Sequence, residues 1–244
     1  MAAENLQLPF SDKDFHSTVK FAQMSEPGTR TVERALTLLT AVAEHGGGLS
    51  QLARAAGLSP STASRLLSTL AAQELVRRDE HGQYHAGARL RALAAASLRQ
   101  DPLHELAGPH LSALAAETGE TANLAVAADD RRVVYVRQVA GSRLVQTAGW
   151  VGRTIPRRGT ALGAALLGEV GDGGWIARTG AVEPDVTSIA APVYGAGAEI
   201  SAVVSVLAPT YRMTAGRVEA CGRAVARHAA GLSHSLGYFG AAAA

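Results

Sequence analysis

The sequence predicts an α+β fold in two parts. In the first part, three helical patterns are followed by a short hairpin, an order typical of a winged helix-turn-helix. In the second part, helical patterns are mixed with short strand-like runs. A chain of 244 residues, of which 47% are hydrophobic, is long enough for two modest domains with cores of their own.

Two helices open the first part. Apolar residues recur at helical spacing from Thr31 to His45, and Gly46–Gly48 end that pattern. A second, short helix is predicted from about Leu49 to Ala56. Gly57 then suits a left-handed C-terminal cap, which makes a tight turn the expected continuation.

The third helix has the clearest start signal in the chain. Ser59 is placed to cap it and Pro60 to occupy its first position, where a missing N–H costs nothing. We expect the helix to run to about Gln73. Its apolar face consists of Ala63, Leu66, Leu67 and Leu70.

A hairpin and a further helix complete the first part. Leu75–Arg78 and Gln83–Ala86 read as two short strands around the turn Asp79–Gly82, which would form the wing. The pattern from Gly87 to Arg99 is helical again and ends before Pro102. This helix is predicted to link the two parts.

The second part is predicted to begin and end with helices. The elements expected in chain order are a helix over Pro102–Thr118, strands over Thr121–Ala127 and Arg132–Val139, further strands through Trp150 and Ile155, a helix over Thr160–Leu167, strands over Ile189–Tyr194 and Ile200–Leu207, and a helix over Thr214–Leu236.

Composition and charge narrow the class of protein. No run of eighteen apolar residues or signal-peptide pattern occurs, and the single cysteine, Cys221, cannot form an internal disulfide. These features predict a cytoplasmic protein with no membrane partner. The stretch from Met24 to Gln100 contains nine arginines and six acidic residues, whereas the chain from Asp101 onward contains twelve arginines and twelve acidic residues. The positive excess therefore lies where a polyanion is expected to dock.

The third helix is the predicted DNA-reading element. The second helix of a helix-turn-helix enters the major groove, and this one presents hydroxyls and an arginine opposite its leucine face. Arg65 would bind guanine through two hydrogen bonds, and arginines on the wing would meet the phosphate backbone. The candidate DNA-binding residues are Ser59, Ser61, Thr62, Ser64, Arg65, Ser68, Arg77 and Arg78. The alternative is that the serines and threonines are only caps and the arginines only solvated.

An ordered set of motifs resembles the IclR family of bacterial transcriptional regulators. Thr31–Leu36 and Leu58–Leu67 match its DNA-binding half. Its effector domain is matched, in order, by Thr118–Thr121, Val133–Val136, Val151–Arg153, Gly159–Gly163 and Ile189–Tyr194.

The resemblance implies a GAF-like domain that binds a small organic effector, an anion being one option, and controls affinity for a double-stranded DNA operator. It also implies a homodimer or homotetramer, and repression rather than activation. The implied domains are a winged helix-turn-helix over 25–87, a linker helix over 88–101 and an effector-binding domain over 102–240. Carried over by motif, the candidate effector-binding residues are Thr160, Ala161, Leu162, Ser188 and Ser205, with Arg158 and its neighbour Arg157 adding charge unless they face solvent.

One departure from the family concerns the segment between Leu167 and Glu183. Only about fifteen residues stand there, where the family inserts several further elements. We therefore expect the corresponding wall of the effector pocket to be missing or rebuilt. The site is then either more open, or closed by Trp150, Trp175 or a neighbouring subunit.

No enzymatic signature or cofactor motif is found, and a metal site is not expected. His81 and His85 lie four residues apart, but across the hairpin turn rather than on a helix, and no cysteine or HExxH motif accompanies them. The rival hypothesis is a ligand-binding or catalytic domain whose winged helix mediates protein contacts only. Residues 1–24 hold both lysines and three of the four phenylalanines, so they are either a non-native extension or an ordinary N-terminal arm.

Overall fold

The computed structural model describes residues 27–99, 101–147 and 149–240, so the predicted arm lies outside the described residues. Two compact units are present, one ending at Ala96 and the other beginning at Ser97. In the part of the chain that is described, no helix is both long and apolar enough to cross a membrane.

The first unit consists of helices and one hairpin. Its elements are α1 (Pro27–His45), α2 (Leu49–Ala55), α3 (Pro60–Ala72), β1 (Val76–Arg78), β2 (Tyr84–Ala86) and α4 (Ala88–Arg99), the last of which continues past the boundary between the units. The buried core takes side chains from three helices and both strands, among them Leu38, Leu52, Leu67, Val76 and Tyr84. These elements agree with the predicted order.

Helix α1 differs from the prediction at its start. It begins at Pro27, four residues before the predicted Thr31. Proline is compatible with the first turn of a helix, so the helix extends ahead of its first large apolar residue. Hydrophobic spacing alone misses such a polar first turn.

The second unit is built on an antiparallel sheet of six strands. In chain order its elements are α5 (Pro102–Thr118), β3 (Thr121–Ala127), β4 (Arg132–Val139), β5 (Thr154–Pro156), α6 (Ala161–Leu166), β6 (Ile176–Thr179), β7 (Val186–Tyr194), β8 (Ile200–Pro209), a 3₁₀ turn (Thr210–Arg212) and α7 (Ala215–Ser235). The strand order is β5-β4-β3-β8-β7-β6. The long hairpin of β7 and β8 thus brings the sixth strand to one edge and the third to the centre.

The two faces of this sheet are covered differently. One face packs against α5 and α7 in a core that includes Leu111, Leu114, Val204 and Leu232. The other packs against the six-residue helix α6 and the buried side chain of Trp150. The second face therefore has the thinner cover.

Strand β6 is the main element that the sequence does not predict. Ile176–Thr179 pairs with β7, and β7 itself begins at Val186, three residues before its predicted start. Trp150, in contrast, lies outside any strand. A four-residue edge strand has too few residues to show a period of two, so only its pairing defines it.

Trp175 anchors the segment that leads into β6. A tight turn precedes it, in which the amide of Gly174 donates to the carbonyl of Gly171 at 2.8 Å. The indole packs on α7 at Gly222, where an added Cβ would lie 2.2 Å from Trp175 Cε2. Gly222 therefore provides the space that the indole occupies, and Trp175 belongs to the core on the α5–α7 face.

Substituting Gly222 with Ala should destabilise the second unit by about 1–3 kcal/mol, because the new methyl group overlaps the Trp175 ring. Urea unfolding measures the effect. Gly216→Ala in the first turn of the same helix is the matched control, since nothing lies within 4 Å of its added Cβ. Adding Trp175→Leu to Gly222→Ala should recover part of the loss; no recovery would contradict a steric cause.

Candidate functional site

Helix α3 presents a polar surface on the side opposite its core contacts. Ala63, Leu67 and Leu70 are buried. The exposed side chains on the other side include those of Ser61, Ser64, Arg65 and Ser68. One rigid helix thus carries four of the predicted DNA-binding residues on solvent-facing positions.

The start of α3 is fixed by the hydroxyl of Ser59. Its Oγ accepts a hydrogen bond from the amide of Thr62 at 3.3 Å and donates to Thr62 Oγ1 at 2.9 Å. Ser61 Oγ lies 3.1 Å from the same atom. Ser59 and Thr62 are therefore engaged at the cap, and their first role is to set the direction of the helix.

The two wing arginines, Arg77 and Arg78, differ in the contacts that their side chains make. Both are exposed, but Arg78 Nε donates to the carbonyl of Gly82 at 3.3 Å, and its guanidinium lies 5.6 Å from the ring centre of Tyr84. Arg77 pairs in register with His85 on β2. Arg78 thus folds back over the wing, whereas the Arg77 side chain makes no hydrogen bond or ion pair within the described residues.

Asp79 holds the wing turn together, a role that the sequence did not indicate. Its Oδ1 accepts from the amides of His81 at 3.0 Å and Gln83 at 2.8 Å, and its Oδ2 lies 2.7 Å from His85 Nε2. The hydrogen bond from His85 is the main reason that the pKa of Asp79 is lowered. His85 therefore braces the hairpin, and the described residues contain no cluster of three metal-ligating side chains.

A narrow cleft with a volume of about 20 Å³, room for little more than one water molecule, lies on the thinly covered face of the sheet in the second unit. Its walls are largely apolar and include two aromatic rings, those of Tyr135 and Trp150, whose centres are 5.3 Å apart. The remaining lining residues are Ile155, Thr160, Ala161, Leu162, Arg178, Ala181, Val182, Glu183, Val186, Ser188 and Leu207. The lining, mainly apolar with a few polar groups, is of the kind found in small-molecule sites, but the cleft would have to widen to admit a ligand.

The predicted effector-binding residues are only partly brought together. Thr160, Ala161, Leu162 and Ser188 line the cleft. Ser205 is fully buried in β8, outside the lining, and its hydroxyl has no hydrogen-bond partner within the described residues. Arg158, the arginine predicted to bind the effector, also lies outside the lining of the cleft.

Arg158 is exposed and does not line the cleft, contrary to the expectation that it adds charge there. Its neighbour Arg157 is half-buried and donates from Nη2 to the carbonyl of Leu166 at 3.3 Å. The turn at Gly159, with φ of 80°, separates both arginines from the start of α6. Sequence adjacency to Thr160 therefore did not place them in the cleft.

Thr160 organises the wall formed by α6. Its Oγ1 lies 2.9 Å from the Pro156 carbonyl, to which it donates, and accepts from the amide of Gly163 at 3.1 Å. An added Cβ on Gly163 would lie 1.6 Å from the Arg157 carbonyl oxygen. Helix and preceding loop thus approach so closely that only glycine fits.

The pocket wall that the sequence predicts to be missing or rebuilt is formed by β6 and the loop after it. Arg178 of β6 and residues 181–183 of the loop line the cleft, and Trp150 faces them. Trp175 does not take part, because it packs on α7 instead. The sequence analysis missed Tyr135, Arg178 and Glu183, and no local signal distinguished them from solvent-facing or core residues.

Two family models match the chain in order. The IclR helix-turn-helix domain matches residues 31–80, and the C-terminal domain of bacterial IclR transcriptional regulators matches residues 95–172. Together they cover more than half of the 244 residues. The chain belongs to the IclR family. The second match ends inside the turn that leads to Trp175, where the rebuilt wall of this IclR protein begins.

Named relatives agree with this assignment. The acetate operon repressor of Salmonella typhimurium is 32% identical over 147 residues, which are 59% of this chain and 54% of that protein. The chain thus spans about half the length of that curated relative. Among solved structures, an IclR transcriptional regulator from Alicyclobacillus acidocaldarius has a TM-score of 0.74 at 23% identity, covering 86% of this chain and 99% of its own.

A second solved structure is that of an IclR homologue from Microbacterium hydrocarbonoxydans complexed with 4-hydroxybenzoate. Its TM-score is 0.68 at 22% identity, and the match covers 84% of this chain and 98% of the other. At these identities the two structures establish the IclR fold of the present chain.

Replacing Thr160 with Val should lower stability by about 1–2 kcal/mol, because the Gly163 amide loses its acceptor at the helix start. Thr160→Ser retains the hydroxyl and should cost much less. Thermal unfolding of the three proteins tests this. Equal melting temperatures for the Val and Ser variants would show that the cap contributes nothing.

Proposed function

We propose that this IclR-family protein is a sequence-specific DNA-binding repressor whose operator affinity is controlled by a small organic effector. The observation that carries the proposal is the capped helix α3, which exposes Ser61, Ser64, Arg65 and Ser68 within a matched helix-turn-helix. Such a regulator acts in the cytoplasm, where its operator is.

For DNA reading, α3 is the helix assigned to the major groove. Arg65 is the residue suited to bidentate binding of guanine, while Ser64 and Ser68 lie beside it on the same exposed surface. The Ser59 cap holds the start of α3 in a fixed direction, which favours a defined register on the duplex. Arg77 on the wing is assigned to the neighbouring phosphates.

For effector binding, the cleft between the sheet and α6 is the assigned site. Thr160, Ala161, Leu162 and Ser188 line it, and Ser205 would be reached only by a ligand that penetrates past the present lining. The 4-hydroxybenzoate complex of the Microbacterium protein supports a small organic molecule as the class of effector.

Regulation requires that the effector have different affinities for the DNA-bound and the free arrangement. Helix α4 is the assigned transmitter, because it runs from the first unit into the second. We infer a homodimer or homotetramer on a pseudo-palindromic operator, since a two-fold assembly reads two half-sites. Sedimentation should give a dimer or tetramer at micromolar concentration, and a monomer would contradict this inference.

Arg65→Ala should weaken binding to DNA from upstream of the adjacent operon by about 1–3 kcal/mol, because a bidentate base contact is lost. Electrophoretic mobility shift at fixed salt measures the effect. Arg223→Ala is the matched control: it also removes one exposed arginine, but from α7 in the other unit, and should leave DNA affinity unchanged. If both variants bind as tightly as the wild type, α3 does not read bases through Arg65.

The same assay separates the DNA-binding proposal from a winged helix that mediates protein contacts only. Affinity for the operator fragment should fall as salt rises, because phosphate contacts release counterions. Affinity independent of salt would overturn the proposal. Footprinting upstream of the adjacent operon then locates the half-sites.

A further inference from the structure

The helix α3 ends in a turn that is fixed by two backbone hydrogen bonds. The amide of Leu75 donates to the carbonyl of Leu70 at 3.0 Å. The amide of Glu74 donates to the carbonyl of Ala71 at 2.9 Å, so that α3 closes in a Schellman motif. Glu74 stands where this motif usually has glycine, with a φ of 57°. The bonds around Glu74 therefore hold a left-handed backbone that strains a residue with a Cβ.

The same turn caps the start of α4. The amide of Gly87 donates to the Leu75 carbonyl at 2.9 Å, and the amide of Arg89 donates to the carbonyl of the strained residue, Glu74, at 3.1 Å. The first amides of a helix lack partners within it, so the end of α3 satisfies a donor of α4. A Cβ added to Gly87 would overlap the Glu74 carbonyl, which shows how closely the two segments approach.

A side-chain hydrogen bond crosses the same junction. Arg89 Nη1 donates to Gln73 Oε1 at 2.7 Å, which joins the first turn of α4 to the residue that caps the end of α3. After this turn α4 makes little contact with the rest of the first unit, since residues 91–95 are all exposed. The direction in which α4 leaves the winged helix is therefore set by residues 73–75 and 87–89, which we call the α3–α4 joint.

We propose that the α3–α4 joint is rigid and fixes the spacing of half-sites that the assembled protein accepts, with Gln73 and Arg89 as positioning residues. Neither side chain needs to touch DNA for this role, because both act on the direction of the DNA-reading helix α3. In a two-fold assembly the separation of the reading helices must match that of the half-sites. The role in spacing rests on the proposed function, whereas the rigidity of the joint does not.

The rigidity is measured without DNA, as the distribution of distances between two spin labels in the full chain. The labels are attached through Ser64→Cys on α3 and Ala95→Cys on α4, both at exposed positions, and Cys221→Ala removes the only native cysteine. Dilution with unlabelled protein restricts the measurement to distances within one chain. Gln73→Ala and Arg89→Ala should each widen a narrow distribution, because the hydrogen bond across the joint is lost.

Two further variants serve as controls. Arg91→Ala removes another exposed arginine of α4, one whose side chain makes no hydrogen bond within the described residues, and should leave the distribution narrow. Gln73→Glu retains an acceptor for Arg89 and should also leave it narrow. Circular dichroism verifies that each variant is folded.

The role in spacing is measured by electrophoretic mobility shift on the footprinted operator, with and without one base pair added between its half-sites. The added pair moves one half-site by about 3.4 Å along the duplex and by about 35° around it. The wild type should bind this operator about tenfold more weakly, and Gln73→Ala and Arg89→Ala only about two- to threefold more weakly. The reason is that a hydrogen bond worth about three- to tenfold in an equilibrium constant no longer opposes the adjustment.

The proposal is overturned if Gln73→Ala and Arg89→Ala leave the distribution narrow, or if both variants discriminate against the lengthened operator as strongly as the wild type. An effect of Arg91→Ala equal to that of Arg89→Ala would indicate loss of charge alone and also overturns it. Equal weakening on both operators by Arg89→Ala, with a smaller salt dependence, would identify a phosphate contact and overturn the positioning role. A joint that loosens as expected, in protein that does not bind DNA, would preserve the rigid joint and refute the proposed regulator together with its spacing role.

Discussion

The two faces of the six-stranded sheet are covered unequally, and this difference determines where the cleft of the second unit lies. A sheet with two apolar faces must bury both, and one face is fully covered by the long helices α5 and α7. The other is covered by α6, which has only six residues, and by the loop that carries Trp150. Because this cover is short, a narrow apolar cleft remains between α6 and the β6 edge.

Polar contacts keep the Trp150 loop on the sheet. Glu120 is buried at the start of β3 and accepts from Arg212 at 2.6 and 2.9 Å, while Arg143 lies 3.0 Å from it. Arg212 also donates to the carbonyl of Val145 at 2.8 Å. Farther along the same loop, the Trp150 amide donates to Gln138 Oε1 at 3.1 Å. The Glu120–Arg212 ion pair thus fastens a loop whose apolar side chains Leu144, Val145 and Val151 are exposed and do not pack on the sheet.

The rebuilt segment shows how a shortened chain can still complete the sheet. Trp175 fills the space above Gly222 on the α5–α7 face, and the next residues pair with β7 as its edge strand. The alternation of strand side chains then directs Arg178 toward the opposite face, into the cleft. The same short segment therefore contributes to the core with one residue and to the candidate site with another.

The sequence by itself determined the winged helix-turn-helix, because its signals are local. Capping by Ser59, the proline at the next position and the apolar period of α3 all act within a few residues, and the structure reproduces them. Only the tertiary structure decided that Arg178 enters the cleft and Arg158 does not. Strand pairing brings together residues that are far apart in the chain. A four-residue strand is too short to show an alternating pattern in the sequence, and a glycine turn shows no such pattern at all.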